Sequence, residues 1–398
     1  MTLATDLGAA GLVEPDHGGL CLDQVLPAVV GAMGVDTLPG AGPESAPVEA
    51  ARARVLLGLP RAERVCLVVV DGLGARLLAE RAGHAPFLRR RLDGVQELTV
   101  GYPSTTATSM GLLGTGEAAG RTGLAGYTVR NPTSGGLANL VSWEGAGPPR
   151  EWQRLSTFFE RMVAAGLAVT SVGPARFAGS GLTEAALRGS RYVSAESLEA
   201  RVDASVEALR RRGLVHLYWG EVDKVGHHHG WTSSAWGDEL SALDHELARL
   251  TRLMPTGTLL VVTADHGMVD VDHGQLVDVA ATPALAQDVT LVAGEPRAAH
   301  VHVADGRAPD ALERWRRTLD GTAVVLARHE AVAAGLFGPV DPRVLPMIGD
   351  LVVAATGVSG VVDSRTQTPH SLLLRGMHGS LTPGEMLVPL LVEGGLGG

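Results

Sequence analysis

Four short stretches of this chain hold the oxygen and nitrogen donors that metal-assisted chemistry needs. Asp71 follows the apolar run Val65–Val70, so it stands at the end of a buried strand, where an aspartate serves as a ligand or as a helix cap. Asp223 and His227 lie just beyond a second run, Leu214–Trp219, and can turn toward one point. Carboxylate and imidazole donors together suit Zn²⁺. Asp265-His266-Gly267 leaves a third run, Thr258–Thr263. Adjacent Asp and His both ligate only where the chain turns sharply, and Gly267 permits that turn. His378, among glycines just before the apolar run Met386–Val392, supplies the donor the set still lacks. Asp71, Asp265 and His266 can hold one ion, and Asp223, His227 and His378 a second. Three protein ligands per ion leave coordination open, as in catalytic sites. His228 and His229 cannot face the same ion as His227. Asp272-His273-Gly274 repeats the tripeptide with no strand before it and reads as a decoy.

A hydroxyl-rich stretch, Gly101-Tyr-Pro-Ser-Thr-Thr106-Ala-Thr-Ser109, lies between the first two ligand segments. A strand ends near Val100, Pro103 fixes the turn and a helix begins near Thr106. Helix N-terminal amides favour an anionic phosphate. A metal-coordinated hydroxyl at that point loses its proton readily and becomes a nucleophile. The plainer alternative is a helix N-cap.

These segments need a scaffold. The three apolar runs, with Leu167–Val172 as a fourth, are near-continuous and end abruptly in polar residues, as strands covered on both faces do. Between them, Leu240, Leu243, Leu247 and Leu250 recur at helical spacing until Pro255. The alternation predicts an α/β fold with a doubly wound, mostly parallel sheet, whose ligands gather at the carboxyl ends of the strands. Residues 1–60 read as an irregular lead-in packed on the core, and 61–282 as the first part of that core. Residues 130–150 read as a long loop or hairpin. Residues 283–345 break the rhythm, with a short strand near His300–Val303 and a helix around Ala311–Leu319, and are expected to form an inserted cap. Residues 346–398 return to the core. Glu295, Arg297, His300, His302 and Trp315 are the cap's expected contribution to substrate choice.

Bulk properties narrow the field. With 45% apolar and 19% charged residues among 398, the chain can bury a core. A formal charge of −10 argues against a structural nucleic-acid partner. Two cysteines, Cys21 and Cys66, exclude a disulfide framework. No signal-peptide pattern or membrane-length apolar run is seen, so a cytoplasmic location is expected.

The order Asp71, Thr106, Asp223/His227, Asp265-His266, His378 resembles the alkaline phosphatase superfamily, nearest its nucleotide pyrophosphatase/phosphodiesterase branch, with phosphonoacetate hydrolase a near relative. The likeness covers about 65–305 and 370–392. In those families the nucleophile lies nine residues before a Thr-Gly pair. Counting back from Thr115-Gly116 selects Thr106 over Thr105. The resemblance implies an alkaline phosphatase-like core with two divalent ions, zinc first and manganese as the alternative. It implies a small phosphate ester or nucleotide as substrate and a phosphothreonine intermediate. Ser109 and Tyr127 are candidate donors to the phosphoryl oxygens, and Arg121 and Arg130 flank this stretch. The chain departs from the branch at Tyr127, where the family carries an Asn. Phosphonate hydrolase, phosphomonoesterase, phosphomutase and a non-catalytic metal-binding protein stand as alternatives.

Overall fold

A computed structural model describes residues 7–395. Its centre is a seven-stranded sheet. In chain order the strands are β1 (Arg64–Val70), β2 (Gln96–Thr99), β3 (Val169–Gly173), β4 (Arg191–Ser194), β5 (Gly213–Trp219), β6 (Thr258–Thr263) and, near the end of the chain, Leu387–Gly394. Across the sheet β4, β3, β5, β1 and β6 run parallel. The Leu387–Gly394 strand joins β6 antiparallel, and β2 pairs with its other edge. Six successive residues of β1, Val65 to Val70, are completely buried, as expected of a strand covered on both faces.

Three helices position the chemistry: α1 (Thr106–Thr115), α2 (Glu221–His229) and α3 (Ser234–Leu253). On α3 the leucines at 240, 243, 247 and 250 all face inward, following the helical period. The lead-in is more regular than its Pro/Gly/Ala content suggested. It contains helices Val25–Ala32 and Ala50–Leu56, and Leu22, Val25 and Leu26 join the main core. Residues 128–130 and 137–139 pair as the hairpin expected in this region. Among the described residues no helix is long and apolar enough to cross a membrane.

The inserted region forms a separate four-stranded sheet. Its strands are Val289–Glu295, Ala298–Val303, Ala323–Ala327 and Leu351–Ala355, backed by the helix Ala308–Thr318. The last strand lies between its two neighbours, beyond the boundary placed at 345. Gly360–Val362 then pairs with Leu276–Asp278, ahead of the boundary placed at 283. The fully buried Leu351–Ala355 therefore belongs to the small sheet, although residues 346–398 are expected from the sequence to return to the core.

Several polar residues of this region turn out to be internal supports. Trp315 is fully buried in the small sheet's own core and donates to the Leu285 carbonyl. Arg297 and Glu385, both completely buried, form a salt bridge at 2.8 Å that ties the small sheet to the segment before the last strand. His300 lies 2.8 Å from the Ala125 carbonyl through Nε2. Arg297 and His300 tie the small sheet to the main body, and Trp315 fastens the small sheet internally.

Buried histidines make the fold acid-sensitive. Burial lowers the His216 and His300 imidazoles to about 4, and burial with His300, Arg130 and Arg328 lowers His302 to about 3. An unfolded histidine titrates near about 6.5, so below that pH the unfolded chain binds more protons than the folded one. Stability should therefore fall as pH drops from about 6.5 toward about 4. The urea midpoint should decline through this window, and His300→Gln should make the decline shallower. A midpoint independent of pH there would contradict the neutral, buried state.

Candidate active site

Every donor except His378 is delivered just beyond the end of a parallel strand, and His378 follows the short strand Gly376–Met377, which pairs antiparallel with Val269–Asp270. Asp71 continues the ladder of β1 by donating its amide to the Trp219 carbonyl, and then the chain turns at Gly72. Gly72 has φ of +74°, and a Cβ there would stand 2.9 Å from the Asp223 Cα. Only glycine lets α2 approach so closely. Asp223 and His227 lie on α2 at i and i+4, which puts both on one face. Their side chains meet at 3.2 Å. His228 and His229, on the same helix, are exposed.

Asp265 and His266 follow β6 and are both fully buried. Gly267 is required here for a different reason from the one its sequence suggested. Its φ is not positive; instead a Cβ would collide with the Gly384 carbonyl. His266 Nε2 lies 3.3 Å from Asp71 Oδ1 and 3.5 Å from Asp265 Oδ2. His378 Nε2 lies 3.8 Å from Asp223 Oδ1, and its ring stacks on that of His266 at 3.7 Å between centroids.

Donor atoms of Asp71, Asp265 and His266 thus converge, as do those of Asp223, His266 and His378. His227 reaches the second group through its contact with Asp223. Asp272 and His273 stay outside: Asp272 caps its own turn by accepting from the Gly274 amide, and neither is buried.

The three imidazoles are oriented alike. His227 Nδ1 lies 2.7 Å from the Gly376 carbonyl, His266 Nδ1 2.9 Å from Gly267, and His378 Nδ1 2.9 Å from Ser104. A ring that donates Nδ1–H to a carbonyl has its Nε2 free for a ligand, and all three turn Nε2 inward. Asp71 Oδ1, Asp223 Oδ1 and Asp265 Oδ2 are buried with no hydrogen-bond partner. Buried carboxylate oxygens left unpaired beside imidazole nitrogens form a donor set suited to divalent cations.

Electrostatics point the same way. Burial, with the Asp265 and Asp223 charges, pushes the Asp71 carboxyl well above its ordinary value. Burial also raises Asp265. Burial would raise Asp223 too, but His227, His378 and His266 outweigh it and hold that carboxyl low. Against the cost of burial, Asp223 lifts His227 to about 8. Burial and His266 drive His378 well below its usual value. Positive charge placed among these groups relieves all of these strains together.

Thr106 opens α1 and faces this cluster, with Oγ1 3.2 Å from His266 Nε2. Thr105 is the N-cap residue, yet its side chain makes no capping bond. Behind Thr106 lies a narrow cavity of about 70 Å³ whose walls include Met110, Phe177, Tyr192, His216 and Tyr218. The Tyr218 hydroxyl donates to Asp71 Oδ2, linking the cavity wall to the donor cluster. These wall residues escaped the sequence reading, because aromatic residues at strand ends and in loops look like core. A surface groove of about 940 Å³ near His84 and Arg91 is larger but contains none of the residues described above.

The other candidates fare differently. Ser109 is fully buried one turn into α1, its Oγ without a partner, and is absent from the cavity wall. Tyr127 is 44% exposed. Its amide, rather than its phenol, is engaged, donating to Glu295 Oε2 at 2.9 Å. Burial pushes the Glu295 carboxyl up to about 8, and its Oε1 has no partner. Arg121 pairs with Glu44, and Arg130 is exposed in a separate groove.

Comparison with known proteins agrees with this arrangement. The profile of the family described as Type I phosphodiesterase / nucleotide pyrophosphatase matches residues 65–381. The chain belongs to that family. Human ectonucleotide pyrophosphatase/phosphodiesterase family member 5 is 30% identical over 95 residues, 22% of this chain and 20% of that protein. The matched stretch thus spans about a fifth of that curated relative. The inactive threonine-to-alanine variant of murine ectonucleotide pyrophosphatase / phosphodiesterase 5, solved with AMP, superposes with a TM-score of 0.67 at 19% identity, covering 83% of this chain and 87% of that one. Phosphonoacetate hydrolase from Sinorhizobium meliloti 1021, solved with phosphonoformate, gives 0.61 at 21% identity, covering 85% and 91%. At such identities the likeness establishes the fold.

The geometry separates ligands from decoys by experiment. Asp265→Asn and His378→Ala should each lower the divalent metal bound per chain, measured by elemental analysis, while Asp272→Asn and His273→Ala should leave it unchanged. Equal losses from the two pairs would overturn the assignment.

Proposed function

We propose that this chain hydrolyses phosphodiester or nucleotide pyrophosphate bonds through a phosphothreonine formed on Thr106. The observation that carries this reading is the placement of Thr106 between two unlike surfaces. Its hydroxyl meets an inward imidazole nitrogen and unpaired carboxylates on one side, and a mostly apolar cavity lies on the other. Asp71, Asp265 and His266 would hold one divalent ion and Asp223, His227 and His378 another, with zinc first and manganese second on donor chemistry. When bound, such ions supply Lewis-acid charge that lowers the hydroxyl's pKa and offsets the charge on phosphoryl oxygens.

The chain's own groups do the rest. α1 presents its first amides, which have no intrahelical acceptor, to the phosphoryl oxygens. Thr106 Oγ1 adds to phosphorus in line with the bond to the leaving oxygen. That bond breaks, and the leaving group departs with a proton. Water then attacks the phosphothreonine, the bond from phosphorus to Oγ1 breaks and the hydroxyl is restored. The cavity lined by Phe177, Tyr192 and Tyr218 is suited to the flat or apolar substituent of a diester. A monoester has one substituent only and leaves less of this surface used. The murine relative solved with AMP supports a nucleotide as one candidate substituent.

Tyr127 bears on substrate class. A phenol, 44% exposed, stands where the family carries an amide, and we infer that this change tunes which substrates are turned over. The phosphonate reading is kept as the second because the fold is shared with phosphonoacetate hydrolase.

Thr106→Ala should abolish turnover with fold and metal content nearly intact, Thr106→Ser should retain activity, and Thr105→Ala should stay active. These variants are best assayed on matched chromogenic diester, nucleotide diester, monoester and phosphonoacetate substrates with zinc and with manganese. Diester or nucleotide-diester rates should lead. Phosphonoacetate as the best substrate would replace the proposal, and an active Thr106→Ala enzyme would remove its nucleophile.

A further inference from the structure

A second cluster of metal-type donors lies well apart in sequence from those of the active site, in the N-terminal segment. His17, Cys21 and Asp23 bring an imidazole nitrogen, a thiol sulfur and a carboxylate oxygen within 4.8 Å of one another. His17 Nδ1 is the common vertex, 3.9 Å from Cys21 Sγ and 3.8 Å from Asp23 Oδ2. These separations are too long for a strong hydrogen bond to either group. They lie at and just beyond the long end of the spacing of donors that share one ion, so a bound ion would draw them slightly closer. With metal–sulfur bonds of about 2.3 Å and metal–nitrogen bonds of about 2.0 Å, tetrahedral ligand atoms stand roughly 3.3–3.8 Å apart. The active-site pairs of this same chain run from 3.3 Å for His266 and Asp71 to 3.8 Å for His378 and Asp223, and the His17 pairs sit at the long end of that series.

The surroundings are built rather than incidental. Asp23 Oδ2 accepts from the Gly18 amide at 2.9 Å, and Asp16 Oδ2 accepts from the Leu20 amide at 2.7 Å, which closes the loop on itself. Gly18 adopts a φ of +79°, and a Cβ on Gly19 would collide with the Asp16 carboxylate. Cys21 is completely buried and bridges to Thr99 at the end of β2. The His17 ring is the element left unexplained: its Nε2 is buried with no partner, and its Nδ1 has only the two long approaches. No hydrogen bond of ordinary length orients this imidazole.

We propose that His17, Cys21 and Asp23 form a third metal site that takes a single transition-metal dication of the zinc class, with solvent completing its coordination. Thiolate, imidazole and carboxylate together select Zn²⁺ or a similar borderline ion over Mg²⁺ or Ca²⁺. The thiol must give up its proton to solvent as the ion binds. The position explains a use for it. Residues 20–22 lie against Thr99, one residue before the turn that delivers Thr106: the Thr99 amide donates to the Leu20 carbonyl, and Asp16 donates to Thr99 Oγ1. An ion at this loop would fasten the lead-in to β2 and so to the entrance of the nucleophile helix. The site is independent of the proposed reaction and stands or falls on metal binding alone.

Cobalt(II) is the probe, since a cobalt–thiolate bond gives an intense near-ultraviolet charge-transfer band that imidazole and carboxylate ligands do not. The active-site donors include no cysteine, and the other cysteine, Cys66, is buried within β1. The full-length chain, stripped of metal and titrated with cobalt, should develop this band. Cys21→Ser should abolish it and lower bound cobalt by about one equivalent per chain, whereas Cys66→Ser and Asp265→Asn should keep it. His17→Ala should weaken cobalt binding at this site alone. Absence of the band in the wild-type chain at saturating cobalt would overturn the proposal without help from any variant. So would its persistence in Cys21→Ser.

Discussion

Three carboxylates buried at one edge of a sheet repel one another, and the rest of the site is arranged around that repulsion. Asp71, Asp223 and Asp265 arrive from three adjacent parallel strands, and among the described residues their ion-pair partners are histidines. Each histidine is pinned through Nδ1 to a backbone carbonyl, so Nε2 is the nitrogen that faces the carboxylates. Three carboxylates this close together create a demand for positive charge. A site of this kind is costly to form without cations, and it draws them in once formed.

The scaffold meets that demand with rigid elements. β1, β5 and β6 are neighbours in register, so the residues just past their ends converge without long loops. Glycines at 72 and 267 allow backbones to approach where any side chain would intrude. The buried Arg297–Glu385 pair and His300 anchor the small sheet to the large one. Groups held this way keep their geometry when substrate arrives, which preorganised electrostatic catalysis requires.

Much of the site was legible because its grammar is local. A buried run ending in Asp, or in Asp-His-Gly, marks the edge where a parallel sheet gathers ligands, and Asp223 with His227 follows helical spacing. The register of the nucleophile was not local: it came from family spacing, and the structure sets Thr106 against His266. What could not be read depended on long-range packing. Leu351–Ala355 looks like a core strand yet pairs inside the small sheet. Trp315 and Arg297 looked available for substrate and are sealed in the interior. Phe177, Tyr192, His216 and Tyr218 come from separate strands and a loop, so only the fold shows that they share a cavity. His17, Cys21 and Asp23 come together only through the turn at Gly18 and Gly19, which their spacing alone does not reveal.

The aromatic cavity and the half-exposed Tyr127 leave the substrate's substituent as the variable, while the chemistry at phosphorus is common to every hydrolytic reading. The stereochemical course at phosphorus tests that chemistry directly. A diester made chiral with sulfur would be hydrolysed in isotopically labelled water and the configuration of the product determined. Two successive in-line displacements, first by Thr106 and then by water, predict overall retention. Overall inversion would mean that water attacks the substrate directly, and would contradict a covalent intermediate on Thr106.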